Sequence, residues 1–110
     1  RLRGGGAVTL GAPDALDHTP GVAVGDGRAL VAFHRVVSGI RNDLFVVTVR
    51  LDGDPDQPLS ASAPRRIETP EFVAPYTPAV THVAGDLFFL AWSDGISPDL
   101  VVRGMFVVAE

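Results

Sequence analysis

The chain has 110 residues, 46% of them hydrophobic and 20% charged, with a formal net charge of −4 at pH 7. That is the balance of a folded domain, not of a disordered tail. Without cysteine there is no disulfide framework, no thiolate metal site and no cysteine nucleophile. Gly, Pro or a charge breaks every apolar run well short of the ~20 residues a membrane helix needs, and an acidic balance has the wrong sign for phosphate. Neither membrane insertion nor a nucleic acid partner is therefore expected.

Twelve glycines and nine prolines fall at short intervals between runs of Val, Leu and Phe, the pattern of many short strands and tight turns. In chain order, strands are expected at residues 7–10, 21–24, 28–36, 44–51, 65–69, 79–83, 87–92 and 100–108. Helix is poorly supported. The longest stretch free of Gly and Pro, residues 40–52, has the β-branched and aromatic centre Leu44-Phe45-Val46-Val47-Thr48-Val49, which favours an extended chain. Several of these runs are apolar at nearly every position, as in strands covered on both faces. Between the fourth and fifth strands, Asp52-Gly53-Asp54-Pro55-Asp56 leads into a Gln-Pro and Ser/Ala/Pro stretch that reads as a long surface turn. It lacks the Gly and Glu of a calcium loop at the required positions, and no metal is expected there. All nine basic residues are arginine, the compositional imprint of a GC-rich genome.

The chain repeats itself. Thr19-Pro20-Gly21-Val22-Ala23-Val24 reads against Thr77-Pro78-Ala79-Val80-Thr81-His82, and Gly25-Asp26 against Gly85-Asp86 as a tight turn. Leu30-Val31-Ala32-Phe33 matches Phe89-Leu90-Ala91-Trp92, and Asp43-Leu44 matches Asp99-Leu100. The period is about 58 residues, with four strands in each unit. Four antiparallel strands per repeat is the composition of a β-propeller blade. The fold class expected is thus all-β, two repeats of a four-stranded antiparallel blade: residues 1–64 hold the first, with a preceding strand end and a following linker, and residues 65–110 the second. An eight-strand β-sandwich is the alternative that the same strand count permits. Arg1-Leu2-Arg3-Gly4 resembles Arg50-Leu51-Asp52-Gly53, so the chain starts and stops at one point of its cycle. Such ends are expected of a piece of a tandem array, or of a unit that closes a ring with copies of itself.

The Pro-x-Val-Ala of Pro20–Ala23, the strand endings Leu30-Val31-Ala32-Phe33 and Phe89-Leu90-Ala91-Trp92, the Asp-Leu pairs at Asp43 and Asp99, and Arg50-Leu51-Asp52 together resemble blade repeats of secreted bacterial β-propellers. Those belong to the broad group that includes sialidase-like folds. The resemblance covers nearly the whole chain, although the Ser-x-Asp-x-Gly-x-Thr-Trp box of the sialidase type is absent and Ser93-Asp94-Gly95 is a fragment of it. It implies an extracellular, cell-surface or periplasmic location, and further blades as partners, from the same chain or from identical subunits.

In such a repeat the segments entering the first strand and those joining second to third strands share one face, where propeller ligands sit. His34, Arg35, Arg41, Asn42, Tyr76, Trp92 and Asp94 are the residues expected to bind a ligand there, with His18 nearby. A mixed set of Arg, His, Tyr, Trp and carboxylate suits sugars or acidic groups, and the ligand expected is a glycan or a protein. Phe33 and Trp92 occupy equivalent places, which favours packing between repeats. Asp43 and Asp99 are expected to bond to loop amides, not to work as an acid–base pair. The histidines His18, His34 and His82 lack metal-ligand spacing. No nucleophile elbow, phosphate loop or nucleotide fingerprint occurs, and no cofactor is expected. The function expected is a non-enzymatic binding or scaffold module. Its alternatives are a small lectin-like protein forming a ring by homo-oligomerisation and a part of a glycan-processing sialidase-like enzyme; recruiting Arg35, Arg41, Glu68 and Tyr76 to the latter rests on analogy alone.

Overall fold

The computed structural model describes residues 7–12, 14–38, 41–53, 59–68, 75–96 and 99–109. Among them all regular structure is β, in two antiparallel sheets. The first sheet is built on β1 (Leu16–Gly25), β2 (Arg28–Ser38) and β3 (Arg41–Arg50), with β4 (Ser60–Ala61) and β5 (Arg65–Ile67) both paired to the free side of β3. The second is β6 (Tyr76–Ala84), β7 (Leu87–Ile96) and β8 (Asp99–Val108). Most expected strands are present and longer than the sequence suggested, because each hairpin ladder continues through its polar ends. Residues 7–10 are the exception. They form no strand, since no described strand lies beside them to share a ladder; Leu10 instead packs its side chain on the first sheet. Ser60–Ala61, expected within a surface turn, adds a short ladder, and Arg65–Ile67 stands on the sheet of the preceding repeat.

Local chemistry sets the registers. Asp26 and Gly27 have φ of 56° and 74°, the two positive values of a type I′ turn, whose twist matches that of the strands it joins. The β6–β7 hairpin closes on Ala84↔Leu87, with a positive φ at Gly85. Thr19 and Thr77, each before a proline, adopt φ of 54° and 55°, and each sits where its ladder slips. The repeat is therefore structural as well as textual. A second slip between His82 and Ala84 leaves Val83 as an extra residue, a β-bulge. It lengthens the spacing from 58 to 59 residues, so that Asp26-Gly27 stands against Gly85-Asp86, one place from the alignment the letters suggest. Asp43 and Asp99 also part company: Asp43 lies opposite Arg35 inside the ladder, whereas Asp99 lies opposite Ile96 at the hairpin mouth.

Alternation along β2 and β3 divides the first sheet's side chains between two faces. Leu30, Ala32, Leu44 and Val46 meet Phe88, Leu90, Trp92 and Val107 of the second sheet in the main core. Ala29, Phe33, Val47 and Val49 form a separate cluster on the opposite face, covered by Leu10 and Ala61. Leu30, Leu44, Phe88 and Leu90 are fully buried, and each contributes roughly 2 kcal/mol by leaving water. The two sheets are closest at β1 and β6, which run side by side in the same direction. A Cβ on Gly21 would collide with the Pro78 carbonyl, and one on Gly25 with the His82 ring.

Counting from the hairpin turns fixes which faces correspond. Leu30 and Phe89 each lie two places beyond the residue closing the turn; Phe33 and Trp92 each lie five beyond it. Leu30 faces the second sheet, but Phe89 faces away from the first. Phe33 faces away from the second sheet, whereas Trp92 faces the first. Unlike faces therefore meet, and the sheets stack in the same sense.

Candidate functional site at the loop end

The β2–β3 and β7–β8 connections lie at the same end of the sheets as the segments that lead into β1 and β6. His34 is the centre of this end. It shares the parity of Leu30 and Ala32, so its ring turns toward the second sheet and is buried. There the Thr77 N–H donates to His34 Nδ1 at 3.4 Å, and the Tyr76 ring meets it edge-on at 6.3 Å. On the other side His18, its partner across the β1–β2 ladder, stacks on it at 5.5 Å. A ring nitrogen that accepts a backbone N–H must be unprotonated, so the second ring nitrogen carries the proton in the neutral form. Burial, reinforced by the neighbouring His18 and opposed by Asp17, holds the His34 pKa below the ordinary value.

Arg35 follows on the opposite face. Its Nε and Nη2 donate to the two Asp17 carboxylate oxygens at 2.7 and 3.2 Å, and its guanidinium carbon lies 4.2 Å from the Phe45 ring centroid. Such a fork uses the planar geometry that lysine lacks. Asp17 also accepts the Ala12 N–H at 3.2 Å, so one carboxylate ties the segment before β1 to β2. The Arg35 hydrogen bond holds the Asp17 carboxyl below the ordinary range against the opposing effect of burial, and the same contact raises the Arg35 pKa. Next to this pair, on the first sheet's outer face, is a cavity of about 240 Å³ with Leu10, Pro20, Val31 and Phe33 as its apolar wall and Asp17 and His18 as its polar edge.

The structure brings together His34 and Tyr76 and distributes the other residues expected at the ligand site. Trp92 is 3% exposed, within the core between the sheets, the packing place its equivalence to Phe33 implied. Asp94 is 1% exposed and accepts Arg103 Nε at 3.0 Å. Both are therefore turned into the protein, because Phe88, Leu90, Trp92 and Asp94 alternate onto the face that meets the first sheet. Arg41 is exposed at the start of β3, opposite Ser38, and Asn42 is half-buried opposite Val36. Sequence reasoning missed Asp17 and Thr77. Asp17 pairs with Arg35 across the ladder, a signal that appears only when the register is known.

The remaining candidates have local partners. His82 Nε2 lies 2.9 Å from the Gly85 carbonyl oxygen, and its ring packs edge-on against Phe88. Asp52 is held by Arg50 at 3.0 Å, while Asp54 and Asp56 lie outside the described residues. Glu68 is exposed, 3.8 Å from Arg66. Among the described residues, no group of three or more His, Asp or Glu is placed to hold a metal ion. Comparison with protein-family models, curated proteins and solved structures finds no match to this chain.

Proposed function

We propose that the chain is a pair of consecutive β-propeller blades acting as a non-enzymatic binding or scaffold module within a larger extracellular bacterial propeller. The observation that carries this reading is the meeting of unlike faces. Two sheets related by a local twofold bring like faces together and finish their core in one step. Same-sense stacking repeats, because each added sheet presents the face that received it. The close approach of β1 and β6, where Gly21 has no room for a side chain, supplies the inner corner of a wedge, which turns such a stack about an axis.

The titratable groups support a recognition role over a chemical one. Asp17 and Asp94 are each engaged by an arginine, and His34 is engaged at the sheet junction. Among the described residues the loop end exposes Arg41 and His18 together with the carboxylates Asp14 and Asp99, and Asn42 and Tyr76 are half-buried beside them. Cation, imidazole, amide, phenol and carboxylate together suit a glycan or a protein loop.

Trp92 is the chain's single tryptophan and reports the stacking directly. Leu44→Ala opens the main core, costs about 2–5 kcal/mol and is expected to red-shift the Trp92 emission. Val47→Ala, on the opposite face of the same strand, destabilises the fold and leaves the native emission unchanged. Equal shifts would remove the stacking argument. On a glycan array, Arg41→Ala is expected to weaken binding with unchanged circular dichroism; turnover of generic glycosides by the wild type would overturn the non-enzymatic reading.

A further inference from the structure

The cavity on the outer face of the first sheet lies at the slip in the β1–β2 ladder. Register breaks between His18 and Gly21, so Thr19 and Pro20 have no partner on β2. The space beside them, about 240 Å³, is bounded by Leu10, Pro20, Val31 and Phe33, with Asp17 and His18 at its edge. Phe33 is buried, Leu10 and Val31 are half-buried and Pro20 is exposed. An apolar cavity of about 150 Å³ is large enough for benzene, so this one has room for a six-membered ring with a short chain.

The chemistry of the lining narrows the occupant. The side chains of the wall carry no donor or acceptor, whereas a sugar needs hydrogen-bond partners around its ring. The charged group at the edge is an acceptor. Asp17 takes Arg35 Nε on Oδ1, and Arg35 Nη2 with the Ala12 N–H on Oδ2. A carboxylate has about four acceptor sites, so Oδ1 keeps one for a further donor, and the side chain is 18% exposed. Charge agrees with this. Asp14, which is exposed, and Asp43, opposite Arg35 in the ladder, act on the same guanidinium as Asp17, so three carboxylates surround one cation. Arg66 lies 3.9 Å from Asp43 and is shared with Glu68 at 3.8 Å. Arg41, opposite Ser38, stands beyond Arg35 on the side away from Phe33. An anion is disfavoured at this edge, and a cation bearing N–H donors is favoured.

The second repeat shows which shape suits such a slip. Tyr76 and Thr77 are the counterparts of His18 and Thr19, and a flat ring, the His34 imidazole, lies against them. The position of Asp17 is there taken by Pro75, so the carboxylate is particular to the first sheet.

We propose that the cavity binds a primary amine carried on an aromatic ring, an arylalkylamine: the ring enters between Leu10, Val31 and Phe33, and the ammonium group donates to Asp17 at the edge. The site is separate from the loop surface around Arg41, and it stands or falls independently of the blade reading.

The test uses the whole chain with 2-phenylethylamine as the probe, 2-phenylethanol as its uncharged counterpart and 3-phenylpropanoate as the anion. The readout is the methyl resonances of Leu10 and Val31, which a ring in the cavity shifts. The amine is expected to saturate both with a Kd of about 1 mM or below. The alcohol is expected to bind at least tenfold more weakly, and the anion more weakly still. Val31→Phe fills the cavity and is expected to abolish the response at Leu10 without changing the circular dichroism. Asp17→Asn keeps the shape and is expected to weaken the amine at least tenfold, leaving the alcohol unchanged. Should that variant lose structure, salt gives the same contrast in the wild type, since about 1 M NaCl screens the charge and weakens the amine alone. No methyl shift with the amine at about 20 mM, or a Leu10 response that survives Val31→Phe, overturns the site. Equal affinity for amine and alcohol, or tighter binding of the anion, overturns the ligand class.

Discussion

His34 shows how much of this chain's behaviour rests on a single side chain. From the sequence it is a histidine near a turn, suited to binding; in the fold it is a neutral acceptor joining two sheets through the Thr77 N–H and Tyr76. Its folded pKa lies below the ordinary 6.5, and the sign of the consequence follows. Above that value the ring is neutral whether the chain is folded or not. As the pH falls below it, the unfolded chain takes up a proton that the folded chain resists, so stability declines until the lower folded value is reached. Urea midpoints are expected to fall between about pH 7.5 and about pH 5. In His34→Gln this component disappears, while the lost hydrogen bond costs about 1 kcal/mol at neutral pH. An unchanged pH dependence in the variant would assign the effect to another group. The Asp17–Arg35 pair does not confuse the reading, since a carboxyl held below 3.8 loses its contribution only as the pH falls further. The candidate site was legible as residue types but not as roles: whether an Arg binds a ligand or an Asp depends on which side chain stands across the ladder.

Among the elements, the long central strands were readable because β-branched and aromatic runs between turn residues have few other solutions. The strand expected at residues 7–10 was not formed, and Ser60–Ala61 was not expected, for one reason: a short strand exists only where a neighbour offers a ladder, and the neighbour is not in the local sequence. The Thr-Pro pairs carried more information than their letters suggested, marking the same slip and the same positive φ in both sheets. Gly21 lies just beyond the first of these slips, at the closest approach of β1 to β6. Gly21→Val places a branched side chain against the Pro78 backbone, which cannot yield as a side-chain tip would. A loss of about 3 kcal/mol or more is expected from such overpacking, with a red shift of Trp92 as the sheets part. Gly53→Ala, where a Cβ meets nothing within 4 Å, serves as the control and is expected to leave the melting temperature in place. Equal effects at the two glycines would remove the close approach from the account.

At the scale of the molecule, the two repeats share one core. The second sheet buries Phe88, Leu90 and Trp92 against the first, and its other face is exposed. Neither sheet has a complete core by itself, so a single cooperative transition is expected, with Trp92 emission and far-ultraviolet circular dichroism changing at the same denaturant concentration. Two separated transitions would make the repeats independent. The sequence by itself determined that the chain is all-β, antiparallel and twice repeated, because turn chemistry, β-branching and periodicity are local properties that a chain carries in its letters. It did not determine which face of each sheet meets the other, whether Trp92 and Asp94 look outward or in, or which end is exposed. Those follow from register and stacking. A shift of one residue, such as Val83 introduces, turns every side chain beyond it to the opposite face, and only the packed sheets decide which of the two is buried.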